Sequence, residues 1–288
     1  MPIVYDKLLA LKIPDVEQTY APKDCMLYAL GVGLGLDPTD EQQLAFVYEK
    51  NLQALPTMAA VIGYPGLWVK ELDTGIDWVK VVAGEYDLTL HQPLKPQGTI
   101  RNRTRVLDIV DKGPGKGAIL YAERILEDKM TGEPVATIVQ TTVCRGDGGF
   151  GGPPREQRPV HAIPERAPDL ICDLPTRTET ALIYRLSADR NPLHADPAIA
   201  RAAGFPRPIL HGLATFGVAG HAILKRLCGY APARLTAIAG RFSAPVFPGE
   251  TIRTEMWDNG GVVSFRARVV ERDVVALNNG RAEVRSGS

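Results

Sequence analysis

Asp189, Asn191 and His194 fall within a six-residue span around Pro192, in the run Tyr184-Arg-Leu-Ser-Ala-Asp-Arg-Asn-Pro-Leu-His194. A carboxylate beside an imidazole is an acid–base pair, in which one group takes a proton while the other gives one. Asn-Pro forms turns and disfavours a helix through Asn191, so the three polar side chains can converge as they would not on a regular helix or strand. The same residues also suit an Asx-capped turn, with Asp189 and Asn191 accepting backbone N–H bonds and His194 on the surface. Downstream, Pro208-Ile-Leu-His211-Gly212 leads into a helix candidate. A helix N-terminus offers unpaired N–H groups and the positive end of a dipole, an arrangement that stabilises an oxyanion. Gly212 either lets a ligand approach the backbone closely or eases a tight turn.

The elements that must position these residues follow from pattern. Gly212 to Leu227 carries few charges until Lys225 and Arg226, which reads as a buried helix with cations in its last turn and Gly229 as its C-cap candidate. In GVVSFRARVVERD (Gly261–Asp273), Val263, Phe265, Ala267 and Val269 alternate with Ser264, Arg266 and Arg268, the period of a half-buried strand. An earlier segment, GAILYAERILED (Gly117–Asp128), is similar to it. Pro93-Leu-Lys-Pro-Gln-Gly-Thr-Ile100 likewise matches Pro245-Val-Phe-Pro-Gly-Glu-Thr-Ile252, with Pro, Pro, Thr and Ile in register. These matches suggest one fold used twice, against chance recurrence of short strand motifs. The first copy's helix candidate is Asp24 followed by CMLYALGVGLG. Gly31, Gly33 and Gly35 weaken it as a helix and read as close helix–sheet packing rather than phosphate binding. The Gly/Pro-rich stretch from Arg145 to Pro168 reads as a linker. The division expected is therefore 1–144, a linker at 145–168, and 169–288. A buried helix followed by antiparallel strands, twice, implies an α+β chain with a sheet wrapped around each helix.

Composition excludes several classes. The 288 residues hold 33 Lys+Arg and 33 Asp+Glu, a balance that argues against a general nucleic-acid binder. No apolar run approaches a membrane span, and the segment MPIVYDKLLALKIPD does not read as a signal peptide. Cys25, Cys144, Cys172 and Cys228 lack metal-ligand or CxxC spacing and read as free thiols of a reducing cytosol, so a cytoplasmic location and no metal are expected. No GxSxG, HExxH, P-loop or dinucleotide fingerprint is present.

SADRNPLH, followed by PILHGLATFG and RFSAPVFPGETI, resembles the MaoC-like dehydratases, specifically the (R)-specific 2-enoyl-CoA hydratases. KDCMLYALGVG and GEYDLTLHQPL resemble the additional first half of their long, eukaryotic-type members, a type also found as the hydratase domain of peroxisomal multifunctional enzymes. The resemblance runs from about Asp24 to Val284. It implies a double hotdog fold, with two long central helices each wrapped by an antiparallel sheet. It implies reversible hydration of a trans-2-enoyl-CoA to the (3R)-3-hydroxyacyl-CoA, with an acyl-CoA substrate, no cofactor beyond the CoA of that substrate, and a homodimer as the candidate assembly. Carried over, Asp189 and His194 match the catalytic pair and Asn191 the residue that orients them. Gly212 matches the glycine whose N–H contacts the thioester oxygen, Phe242 a substrate-contacting residue, and Lys112 a basic residue near the CoA. His211 joins the substrate-binding set. Ala83-Gly84 stands where the multifunctional enzymes often show His-Gly, and Ala188 stands where a glycine usually precedes the aspartate. With a one-residue gap, Tyr28 aligns opposite His194 and nothing matches Asn191-Pro192, so the first half is expected to be catalytically inactive and to accommodate the acyl chain. The rival functions are acyl-CoA binding without turnover and thioester hydrolysis.

Overall fold

The alternating residues Val263, Phe265, Ala267 and Val269 all face the core from a single strand, as their period requires. The computed structural model describes residues 2–187 and 189–286, so Ala188 lies outside the described residues. The main elements of the first half are α1 (Tyr5–Leu9), β1 (Val16–Tyr20), α2 (Pro22–Gly31), α3 (Glu41–Val47), a 3-10 turn over Pro56–Ala60, α4 (Trp68–Glu71), β2 (Val81–Leu90), β3 (Gly98–Asp111), β4 (Ala118–Asp128) and β5 (Pro134–Cys144). Those of the second are β6 (Leu170–Pro175), α5 (Thr180–Tyr184), a 3-10 turn over Pro192–His194, α6 (Pro197–Ala202), α7 (Gly212–Leu227), β7 (Leu235–Phe242), β8 (Thr251–Asp258), β9 (Val262–Val269) and β10 (Val274–Val284). Residues 145–169 between the halves form no helix or strand.

The duplication is visible in the topology. The ten strands form one sheet in the order β1-β3-β4-β5-β2-β7-β10-β9-β8-β6. Read from either edge inward, each half contributes its first, third, fourth, fifth and second strand. The halves join where β2 pairs antiparallel with β7, with Tyr86 opposite Gly240 and Leu88 opposite Ile238. The two matched Pro-Pro-Thr-Ile segments lead into the corresponding strands β3 and β8, and the two alternating segments form β4 and β9. This is the double hotdog that the resemblance implies.

α7 is the long central helix of the second half. Every residue from Ala214 to Leu224 is buried. Side chains such as Phe216, Ile223 and Leu224 each contribute roughly 1.5–3 kcal/mol by leaving water. His221 is a core histidine, with Nδ1 on the Val32 carbonyl and Nε2 on the Tyr230 hydroxyl, and burial pushes its pKa down to about 4.

The first half departs from the symmetry expected of it. α2 ends at Gly31, and Gly33 and Gly35 both take positive φ, so they close turns rather than extend a helix. α2 also follows the first strand of its half, as α5 does in the second, and the two helices pack together with Tyr28 and Tyr184 rings 5.8 Å apart. Tyr28 therefore stands opposite Tyr184, not His194. The element in the place of α7 is the single 3-10 turn Pro56–Ala60. One half thus keeps a sixteen-residue central helix and the other keeps five residues.

Candidate active site

The 3-10 turn Pro192–His194 places the candidate pair. The Asn191 side chain accepts from the Leu193 N–H at 3.0 Å, and Asp189 Oδ1 accepts from the Asn191 N–H at 2.9 Å. Both are Asx-type bonds, and Pro192 supplies the fixed φ of the first turn position. Asn191 thus positions both partners through its backbone, and its side chain makes no hydrogen bond to either of them among the described residues. The capped turn and the candidate pair are here the same structure.

His194 is 8 % exposed, whereas the Asp189 side chain is half exposed. His194 Nδ1 lies 2.9 Å from the Ile209 carbonyl oxygen, which makes Nδ1–H the donor and leaves the Nε2 lone pair free. That Nε2 faces Asp189 Oδ2 at 3.9 Å, too far for a direct hydrogen bond. Burial lowers the His194 pKa, opposed by the Ile209 carbonyl and the Asp189 charge, so the ring is neutral at neutral pH.

His211 holds the pair in place from behind. It is 2 % exposed, and its ring stacks on His194 with centroids 3.7 Å apart and lies 5.0 Å from the Tyr184 ring. Nε2 lies 3.0 Å from the Asp189 carbonyl oxygen, so one imidazole braces both members of the pair. Burial and the neighbouring His194 push its pKa down to about 4. His211 was expected among the substrate-binding residues; here it is buried and touches His194 and the Asp189 backbone. The donor atoms of Asp189, His194 and His211 lie within 4.8 Å of one another, but the two imidazoles lie face to face rather than converging edge-on as metal ligands do.

His211 is also the N-cap residue of α7, so the pair sits against that helix's N-terminus. No side chain caps this end, and the N–H groups of Gly212 and Leu213 have no hydrogen-bond partner among the described residues. A Cβ at Gly212 would come 3.1 Å from the Phe242 ring, which places Phe242 directly over the first turn. Phe242 in turn packs edge-on against Tyr86 of β2, at 6.0 Å between centroids. The arrangement offers a proton-accepting pair, free backbone donors and an aromatic wall around one point.

The remaining expected contacts lie elsewhere. Lys112 stands exposed in the turn between β3 and β4, Ala83 is exposed, and Gly84 is half-buried at an irregularity in β2. No hydrogen bond or ion pair among the described residues joins them to the pair. Gly84 instead lines a cavity of about 290 Å³ with Glu85, Arg158 and Arg241. The first half contributes two residues that sequence reasoning missed, Tyr64 and Tyr86. Tyr86 packs against Phe242, which covers the first turn of α7, Tyr64 lies against the buried Arg124 guanidinium, and burial raises both hydroxyl pKa values. Tyr86 was findable, because it sits in phase with Leu88 and Leu90 on the core face of β2. Tyr64 lies in irregular chain and carries no such signal.

Residues 159–279 match the MaoC like domain, and residues 18–146 match the MFE-2 hydratase 2 N-terminal domain. The chain is 42% identical over 278 residues to 3-hydroxyacyl-thioester dehydratase Y of Mycobacterium tuberculosis, covering 93% of this chain and 94% of that protein. It is 39% identical over 289 residues to the peroxisomal enoyl-CoA hydratase 2 of Arabidopsis thaliana, covering 94% and 93%. That relative's name gives no support to the cytoplasmic location expected from the sequence. No helix among the described residues is long and apolar enough to cross a membrane. Among solved structures, a MaoC-like dehydratase from Phytophthora capsici superposes with a TM-score of 0.86 at 34% identity, covering 98% of this chain and 99% of that one. Matched in both halves and along nearly its whole length, the chain belongs to the MaoC-like dehydratase family.

Proposed function

We propose that the chain catalyses the reversible hydration of a trans-2-enoyl-CoA to the (3R)-3-hydroxyacyl-CoA, at the Asp189–His194 pair. The observation that carries this reading is the 3.9 Å gap between His194 Nε2 and Asp189 Oδ2, beside an uncapped helix N-terminus. One water oxygen about 2.8 Å from each acceptor bridges such a gap. Neutral His194 and ionised Asp189 both accept, so the water gives one hydrogen to each. Its oxygen attacks C3, which conjugation to the thioester carbonyl makes electrophilic. One proton passes to the pair, and negative charge moves to the thioester oxygen as an enolate. The Gly212 N–H, at the positive end of α7, stabilises that charge. The proton held by the pair then returns to C2, so the atoms of one water are added and no metal or redox cofactor takes part. Phe242 flanks the acyl group, and the shortened helix of the first half leaves room for its distal part. The names of the Mycobacterium and Arabidopsis relatives support an acyl-thioester substrate.

The test is to incubate the protein with crotonyl-CoA and with trans-2-decenoyl-CoA. A product heavier by one water, with no free thiol released, is the expected result. Thiol release would make the chain a thioesterase, and binding without turnover would make it an acyl-CoA carrier; either contradicts the proposal.

A further inference from the structure

Strand β4 carries a charge where its neighbours are apolar. Leu120, Ala122, Arg124 and Leu126 face the core, and Arg124 is 1 % exposed. The corresponding strand β9 turns only apolar side chains inward: Val263, Phe265, Ala267 and Val269. A buried guanidinium is held at a desolvation cost, and burial lowers its pKa. Arg124 has no carboxylate partner among the described residues. Two of its donors go to main chain instead: Nη1 donates to the Ala60 carbonyl at 2.8 Å and Nη2 to the Ile62 carbonyl at 2.7 Å.

These carbonyls are where the first half's central helix stops. In α7 the helical ladder continues and satisfies its own carbonyls; after Pro56–Ala60 it does not, so the last carbonyls would be orphaned in the core. Arg124 takes the place of the missing turns. Beyond them the chain turns at Gly63, where φ is +60°, and the Gly63 N–H donates to Gln18 Oε1 of β1 at 2.7 Å. Tyr64 follows, its ring centroid 5.7 Å from the Arg124 guanidinium carbon. Tyr64 and Trp68 then form one wall of a cavity of about 90 Å³, whose opposite wall includes Ala122, Gln140 and Thr142. Ala122 lies two residues from Arg124 on the same face of β4. The cavity residue Gln140 pairs with Tyr86 across β5 and β2, and Tyr86 packs on Phe242 over the first turn of α7, so this cavity begins near the catalytic pair.

We propose that Arg124 is a specificity-determining residue: by pinning the Ala60 and Ile62 carbonyls it holds residues 61–68 away from β4 and keeps the cavity open for the distal part of the acyl chain. The inference rests on the hydratase reading above. It makes the buried charge part of substrate selection rather than of the chemistry at C2 and C3.

The experiment compares kcat/KM for trans-2-decenoyl-CoA and crotonyl-CoA in the wild type, Arg124→Met, Arg124→Lys and Gln18→Leu, with amide exchange of residues 61–68 followed in each. In Arg124→Met the decenoyl value falls about tenfold or more, the scale of a few lost methylene contacts, while crotonyl-CoA, too short to reach the cavity, stays within about threefold. Gln18→Leu loosens the same turn from the other side without touching the buried charge, and shifts the ratio the same way by less. Exchange at 61–68 rises in each. Equal losses on both substrates, or an unchanged ratio in the folded variants, overturns the proposal. If Arg124→Met does not fold, Arg124→Lys and Gln18→Leu decide it by the same ratio. If the wild type hydrates neither substrate, the hydratase reading fails instead, and unchanged exchange at 61–68 in the variants then overturns the clamp on its own.

Discussion

Asp189→Asn and His194→Gln each lower kcat with a trans-2-enoyl-CoA by roughly 100-fold or more, the usual loss when a positioned acid or base is removed. Both substitutions are close in shape to the residues they replace. Asp189 is half exposed, and its loss leaves no buried charge unpaired. A glutamine at 194 can still donate to the Ile209 carbonyl that now receives His194 Nδ1. Thermal midpoint and KM should therefore stay close to wild type while turnover falls. The pH profile carries a second reading. The neutral imidazole is the working form, and burial lowers its pKa, so the acidic limb of the wild-type kcat/KM profile falls below about 6.5, the ordinary histidine value. Near-normal turnover in both variants would remove the pair from the mechanism.

Gly212 separates the backbone donor from the space around it. His211 has φ −59° and ψ 138°, the conformation that a following proline requires, and proline is accepted at the first position of a helix. Gly212→Pro therefore fits the backbone while deleting the N–H. It also adds a Cβ 3.1 Å from the Phe242 ring, and Gly212→Ala adds the same atom while keeping the N–H. The alanine variant thus reports the steric effect of that Cβ, and the proline variant adds to it the loss of the N–H with the ring carbon that replaces it. Relative to the alanine variant, the proline variant loses a further ~10²–10³ in kcat, the loss typical of one oxyanion donor. Steady-state kinetics of the two variants checks this, with circular dichroism to confirm the helix. A proline variant no slower than the alanine variant would assign the enolate charge to some other donor.

The pair, its turn and α7 were legible because each is local. Asn191-Pro192 dictates a turn whatever surrounds it, and the apolar run after Gly212 dictates a buried helix. The duplication was legible through Pro-Pro-Thr-Ile segments that lead into equivalent strands. What escaped is held by contacts between distant residues. The helix candidate after Asp24 ends at Gly31 in α2, and the place of α7 is taken by Pro56–Ala60, whose end is satisfied by Arg124 from β4, which no local pattern announces. Tyr28 fell out of register with His194 because α2 answers to α5 and not to the catalytic turn. The burial of His211 in the stack of Tyr184, His211 and His194 likewise has no local signal. Tyr86 reaches Phe242 only because the two halves share one sheet.

Hydration of a trans-2-enoyl-CoA in heavy water, with the configuration at C2 and C3 of the product read by NMR, tests the central claim most directly. Asp189 and His194 approach the alkene from one side, so the oxygen at C3 and the deuterium at C2 should arrive on the same face. The account predicts a single diastereomer from syn addition, with (3R) configuration. Deuterium scrambled between both C2 positions, or a (3S) product, would contradict it.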